Sequence, residues 1–449
     1  MIKSKKIISC FLSFSDCAAI LLLLSMSYFP LLYSDNDVLI LCVTAVSMFI
    51  VLIPRVKDRD FGLNRFAHIP VPLILLSVYF ALSAIGIVTL KFGGADMPAG
   101  RGYSWLVPYG GTLFVAVLLS LSRTHAWRLF FLKAIAVFGI IFASSTIIFW
   151  VCPQLYDAIF PSIQKLVSHS IEGRGYRAGL TTHYSTNATY IVLGFLACFS
   201  IAFTEKRGKK WSFLSAMCFF ALILTSKRAH FLFGVLSAMV LILIYGARKG
   251  IRFLGKIAMG VVGIVALLLA LSIANSDIGR LFSRLFEGLD GLLNGRGSFY
   301  ALCISMWMSS PIVGCGWGSF NREYLQLDVG VRYLERGYTN INAHNIYLQT
   351  LAEQGILGLL PLILGIAMGI KLSILNTIES FKLDAEDEEK GVSRLRATLY
   401  GSLLVQLFVA LYGLTGNPIY DSIIYIPWLL AIPLAQPLSE LPASNLLKR

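Results

Sequence analysis

From its first residues to its last, the chain alternates apolar runs of bilayer length with short polar interruptions. A helix needs about 17–25 apolar residues to cross the hydrocarbon core. Twelve stretches meet or approach that length, at about 8–33, 37–54, 69–90, 106–121, 130–152, 188–204, 211–226, 229–246, 254–273, 350–371, 397–415 and 420–436. The pattern predicts an all-α polytopic membrane protein, with residues 1–449 forming a single integral membrane domain. The run after MIKSKK is too long for a signal peptide and has no small-residue cleavage site, so it reads as a first span.

Composition agrees. Hydrophobic residues make up 57% of the 449 and charged residues 14%, against roughly 45–50% and about a quarter in soluble proteins. Lys and Arg then set the orientation. With a cytoplasmic N-terminus, the inner segments hold most of the 38 basic residues, in RVKDRDFGLNR (55–65), EKRGKK (205–210), RKGIRFLGK (248–256) and the terminal KR. Twelve spans return the C-terminus to the cytoplasm. The net charge of +14 therefore reports topology and attraction to anionic lipid at the inner face, and excludes nucleic acid as the partner. Most of the eight cysteines lie in or beside spans and read as small apolar residues. Cys303 and Cys315 share an outer loop where they have the opportunity to pair, and the acidic run DAEDEEK (384–390) reads as a solvated inner linker.

Two outer loops are long, 153–187 and 274–349. A transporter would bury charges near mid-span. Here the spans carry almost none, with Asp16 and His230 as exceptions near span ends. The cations Arg174, Arg177, Lys227, Arg228, Arg280, Arg284, Arg296, Arg322, Arg332 and Arg336 collect in the outer loops and at outer span ends, together with His344. In RGYRAGLTTHYSTNATY (174–190), two arginines and His183 reach the start of span six, as interfacial anchors or as an anion site. LTSKRAHFLFG (224–234) places two adjacent cations in a turn between two spans, against the usual charge bias. Snorkelling accounts for one of them, and a bound anion for both. The stretch IGRLFSRLFEGLDGLL (278–293) has apolar residues at helical spacing and predicts an amphipathic helix on the outer leaflet. Glycines on both sides of Arg296 put that side chain at a helix start, where backbone N–H groups also attract anions. Pro311 ends that helix, and GCGWG (314–318) supplies a turn able to approach a ligand closely.

His344 stands just before IYLQTLAEQGILG, whose apolar positions continue into span ten. The positive end of that helix disfavours a charged imidazolium. A neutral imidazole accepts a proton, as a general base must; the bland alternative is a histidine satisfied by loop backbone. No GxxxxGK[ST], GxSxG or HExxH motif is present. Asp35-Asn36-Asp37 offers a short acidic turn for a divalent cation, or a merely polar one. Outside the cytoplasm there is no nucleotide supply, so a synthetic enzyme there needs a substrate carrying its own activation. A lipid diphosphate meets that need: arginines hold the diphosphate as it leaves, and a histidine deprotonates the attacking hydroxyl.

These residues resemble a known family. His344-Asn345, nine residues, then Gly355-x-x-Gly358 is similar to the signature of O-antigen ligases, whose superfamily also holds O-antigen and exopolysaccharide polymerases and protein O-oligosaccharyltransferases. LTSKR resembles the family's turn before a span, GRGSFY with PIVGCGWGSF resembles the stretch ahead of its large-loop histidine, and YRAGLTTHYSTNAT resembles its upstream segment. The resemblance covers roughly 174–360 by motif. It implies a GT-C-like arrangement of about twelve transmembrane helices in the bacterial inner membrane, with a large helical periplasmic loop (274–349) between spans nine and ten carrying part of the active site. It implies inverting, metal-independent and cofactor-independent glycosyl transfer from an undecaprenyl diphosphate-linked glycan to a sugar hydroxyl of lipid A–core oligosaccharide. His344 is the implied base. Arg228 and Arg296 are the implied diphosphate ligands, with Arg177 and Lys227 as further candidates; Lys227 occupies a position where relatives carry a small residue. Tyr412, Asn417, Tyr420 and Asp421, around the last outer turn, are candidate sugar contacts. The alternatives are a polymerase joining lipid-linked repeat units, a polysaccharide transporter, and a metal-dependent transferase using the acidic turn.

Overall fold

The structure, a computed structural model, describes residues 2–29, 33, 36–57, 68–92, 102–122, 125–160, 177–204, 208–250, 252, 255, 296–335, 340–382 and 390–436. Among them every regular element is helical. In chain order these are α1 (Ile2–Tyr28), α2 (Asp37–Lys57), α3 (Val71–Phe92), α4 (Tyr103–Ser120), α5 (Ala126–Val151), α6 (Pro153–Ile159), α7 (Tyr184–Ala202), α8 (Lys209–Leu224) and α9 (Arg228–Lys249). Then follow α10 (Gly297–Ser309), α11 (Ser319–Leu325), α12 (Asp328–Glu335), α13 (Ile346–Ser380), α14 (Lys390–Tyr412) and α15 (Ser422–Ala431), the last extended by a 3₁₀ turn over Ile432–Ala435. Among the described residues, eight helices are long and apolar enough to cross a bilayer: α2, α3, α4, α5, α7, α9, α13 and α14. Shorter apolar stretches occupy Leu12–Tyr28 and Ser422–Ala435. The protein is an all-α polytopic membrane protein. Eleven of the twelve expected spans coincide with helices. The expected span at 254–273, the amphipathic helix at 278–293 and most of the acidic linker lie outside the described residues, as do Asp35, Arg174 and Arg336.

The chain divides into two compact units. One comprises Met1–Phe131, Gly295–Asn376 and Val409–Pro437. Within it α1 packs on α2 and α15, and α4 on α2 and α15. Its buried charges are matched. Arg55 Nη1 lies 2.8 Å from Asp16 Oδ1, and the Ser122 hydroxyl donates to the other Asp16 oxygen at 2.8 Å. Arg128 donates to Gln436 Oε1 at 2.7 Å. Charges withdrawn from water persist only when so compensated. Besides Asp16, the buried charges are Arg55 and Arg128, just outside the ends of the expected spans, and Glu353, inside the tenth. Arg55 and Arg128 complete polar contacts that only the assembled bundle supplies, whereas Glu353 accepts from Gln349 one turn away on the same helix.

The other unit comprises Leu132–Asn294, Thr377–Phe408 and Leu438–Arg449. Here α7 packs on α8 and α9. A Cβ placed on Gly139 would sit 2.3 Å from the Gly194 Cα, so α5 and α7 touch backbone to backbone. Small residues at such crossings replace the hydrophobic driving force that lipid removes.

Candidate active site

In the first unit the site is built around the start of α13. Asn345 caps that helix, its Oδ1 accepting from Tyr347 N at 3.1 Å and Leu348 N at 3.0 Å. The next donor, Ile346 N, is shared between the carbonyls of Gly413 and Gly416 at 2.9 and 3.1 Å. These bonds satisfy the first amides of the helix and fasten it to the turn that follows α14. Immediately before the cap, His344 adopts φ +54°, a left-handed conformation that few non-glycine residues take. Functional positions are where such strain tends to be kept.

The imidazole is exposed and stacks on Phe299, with ring centroids 6.2 Å apart and planes 14° apart. Phe299 is itself wedged edge-on against Tyr324 and Phe320. Stacking engages the face of the ring, not the edge that carries the nitrogens. Phe299 belongs to α10, whose N-cap is Arg296, as the flanking glycines led us to expect. Arg296 Nη1 donates to the Thr415 carbonyl at 2.8 Å, and the guanidinium also meets the Tyr300 hydroxyl. Two of five N–H donors are then engaged. Burial pushes the Tyr300 hydroxyl above its ordinary pKa, with Arg296 and Asn345 opposing that rise. Tyr300 thus stays a neutral hydroxyl that accepts from the arginine and donates to the Leu414 carbonyl at 3.4 Å. His344 and Arg296 share one neighbourhood, linked through Phe299, Tyr300 and Asn345.

The two glycines of the histidine signature have structural reasons. Helix α13 breaks at Gly355, where φ is 62° and ψ −160°, a combination essentially confined to glycine. The chain segment after α10 fills the break. Cys315 N and Gly316 N donate to the Ala352 and Glu353 carbonyls, both at 2.9 Å, while Ile356 N and Leu357 N donate to the Pro311 and Ile312 carbonyls at 3.0 and 3.1 Å. The backbones meet so closely that a Cβ on Gly314 would lie 2.4 Å from Gln354 N. Gly358 leaves room for the Gln354 side chain, whose Cβ would be 2.3 Å away. The GCGWG segment packs closely against the broken helix. Cys303 and Cys315 are free thiols, and the Cys315 Sγ bonds the Met306 carbonyl at 3.2 Å.

The remaining candidate diphosphate ligands, Arg177, Lys227 and Arg228, lie in the second unit. Thr225 and Ser226, the latter at φ +56°, make the tight turn between α8 and α9; Lys227 is the α9 N-cap and Arg228 its first residue. The Lys227 ammonium sits 3.9 Å from the centre of the Tyr184 ring. Tyr184 opens α7, whose N-cap His183 accepts from Ser185 N at 3.1 Å. On the same first turn, Asn187 Nδ2 donates to the Arg177 carbonyl and to Thr146 Oγ1, both at 2.8 Å. Gly179, at φ +54°, lies flat over Asn187 because a Cβ there would come within 2.9 Å of its amide. His230, one turn into α9, bonds Thr189 at 2.9 Å. Arg177, Lys227 and Arg228 therefore gather around the first turns of α7 and α9.

Residues 212–363 match the family described as O-Antigen ligase. The chain carries an O-antigen ligase domain. A comparison with characterised proteins gives no match. The domain begins in α8 and ends within α13. It takes in Lys227, Arg228, Arg296 and His344 and leaves Arg177 outside. It also holds two residues that sequence reasoning passed over, Gln349 and Glu353. Both are buried, and the Gln349 amide donates to Glu353 Oε1 at 3.1 Å. A signal was present: Asn345, Gln349 and Glu353 recur every fourth residue, one polar stripe along a helix whose other faces are apolar. The O-antigen ligase domain supports glycosyl transfer of the ligase or polymerase type on lipid-linked glycan substrates.

Proposed function

We propose that the protein is an O-antigen ligase of the bacterial inner membrane, with both termini cytoplasmic and His344 facing the periplasm. The donor is an undecaprenyl diphosphate-linked glycan and the acceptor a sugar hydroxyl of lipid A–core oligosaccharide. In the reaction His344 accepts the hydroxyl proton. The acceptor oxygen attacks the anomeric carbon from the face opposite the diphosphate and bonds to it. The bond from that carbon to the diphosphate oxygen breaks, its electron pair stays on the departing lipid diphosphate, and the configuration inverts. Arg296 stabilises that developing charge, its planar fork suiting phosphate oxygens. Arg228 is the other diphosphate ligand that the resemblance implies, with Arg177 and Lys227 as further candidates. No step is assigned to a metal or a cofactor.

The observation that carries this reading is an exposed imidazole, strained in backbone and stacked on Phe299, beside an arginine within an O-antigen ligase domain. Deleting the gene tests it. A ligase predicts accumulation of lipid-linked polymer of normal length distribution together with bare core lipopolysaccharide. Core bearing a single repeat unit assigns the chain instead to polymerisation, and unaltered lipopolysaccharide overturns both.

A further inference from the structure

Gln349 is fully buried one turn into α13, and three hydrogen bonds converge on its amide. Its Oε1 accepts from Ala343 N at 3.0 Å and from Asn417 Nδ2 at 2.8 Å, while its Nε2 donates to Glu353 Oε1 at 3.1 Å. Ala343 immediately precedes His344. Asn417 lies two residues beyond Thr415, whose carbonyl holds Arg296. One side-chain amide thus ties the turn carrying the imidazole to the turn that seats the guanidinium.

An amide can face either way, and both of its neighbours on the loop side are donors. Only the orientation with Oε1 toward them satisfies the site. A carboxylate at 353 accepts and does not donate, so it draws the Gln349 NH₂ toward itself and turns the oxygen outward. Glu353 is 1% exposed, and burying a carboxylate in a membrane helix needs such a return.

We propose that Glu353, acting through Gln349, is a positioning residue for the transfer reaction: it fixes the sense of the Gln349 amide and thereby the placement of His344 relative to Arg296. The proposal rests on the assignment of His344 as base. It makes a distinctive demand, that hydrogen-bond polarity matter and not the carboxylate itself.

The test is a polarity swap in the full-length protein, reconstituted with undecaprenyl diphosphate-linked glycan and lipid A–core. Glu353→Gln removes the obligate acceptor of the Gln349 NH₂ and leaves its orientation to the loop donors alone, and Gln349→Glu sets two carboxylates against each other. The double variant Gln349→Glu/Glu353→Gln restores the pattern, because the carboxylate then at position 349 accepts from both loop donors and the amide then at position 353 donates to it. Displacement of a reacting group by about 1 Å costs roughly 10²-fold in rate. Each single variant is therefore expected to lose about 10–100-fold in kcat with little change in donor KM, and the double variant to recover most of that loss. Failure of the double variant to exceed the better single variant overturns the proposal, as does a loss that falls on KM alone. Should the variants at 349 and 353 fail to fold, Asn417→Ala cuts the same link and must show the same split between kcat and KM; unchanged kcat overturns the proposal. Wild-type protein and His344→Ala run in parallel keep the two readings apart. Transfer that survives His344→Ala refutes the base assignment, whereas a dead His344→Ala with no double-variant recovery refutes the relay alone.

Discussion

Replacing Gly355 by alanine should uncouple α13 from the segment that plugs its break. The added Cβ would stand 2.3 Å from the Ile312 oxygen, 2.4 Å from the Ile312 carbonyl carbon and 2.6 Å from Gly314 N, and no flexible side chain is there to yield. The backbone must also leave φ 62°, ψ −160°, at about 1–3 kcal/mol. Pushing residues 311–316 aside weakens four backbone hydrogen bonds, each contributing about 1 kcal/mol net. The expected loss is on the order of 5 kcal/mol. Gly316→Ala is the internal comparison: φ is +98° there, but nothing lies within 4 Å of the new Cβ, so only about 1–2 kcal/mol of conformational strain applies. Thermal unfolding of the purified variants in one detergent reads both. Gly355→Ala should melt well below Gly316→Ala, which should melt below wild type. Equal melting of Gly355→Ala and Gly316→Ala would refute the backbone-contact argument, and wild-type melting of Gly355→Ala would refute the break itself.

Other expectations follow from the same geometry. Arg55→Met leaves Asp16 buried without its cation and should destabilise the protein by about 3–5 kcal/mol, whereas Asp16→Leu/Arg55→Met should recover much of that in the same melting assay. Lys227 rests on the Tyr184 ring, so Lys227→Ala and Tyr184→Leu should each raise the donor KM, with the double variant no worse than the poorer single one; additive effects would show that the ring does not seat the ammonium. Gly194→Val should separate α5 from α7, where backbone meets backbone, and lower the yield of folded protein recovered from membranes.

Much of the fold was legible because the bilayer imposes it. Span positions follow from apolar length alone, and the glycines around Arg296 together with the polar cluster at 342–345 announced helix starts that the structure contains. What escaped the sequence depended on partners distant along the chain. The run IYLQTLAEQGILG reads as one continuous helix, and its break at Gly355 is intelligible only with Gly314 packed against it. Glu353 was submerged in an apolar run, and its meaning waits on Asn417 and Ala343 meeting at Gln349. Likewise Arg55 reads as an inner flank until Asp16 is seen beside it. Local pattern reports elements, but compensation of buried polarity is a property of the assembled bundle.

The most direct check of the account is transfer by the reconstituted protein with His344 replaced. Wild type should convert undecaprenyl diphosphate-linked glycan and lipid A–core into glycan-bearing core while releasing lipid diphosphate. His344→Ala, whose exposed side chain contributes little to the fold, should be inserted and folded yet form no product. Glycan-bearing core made at the wild-type rate by His344→Ala would contradict it.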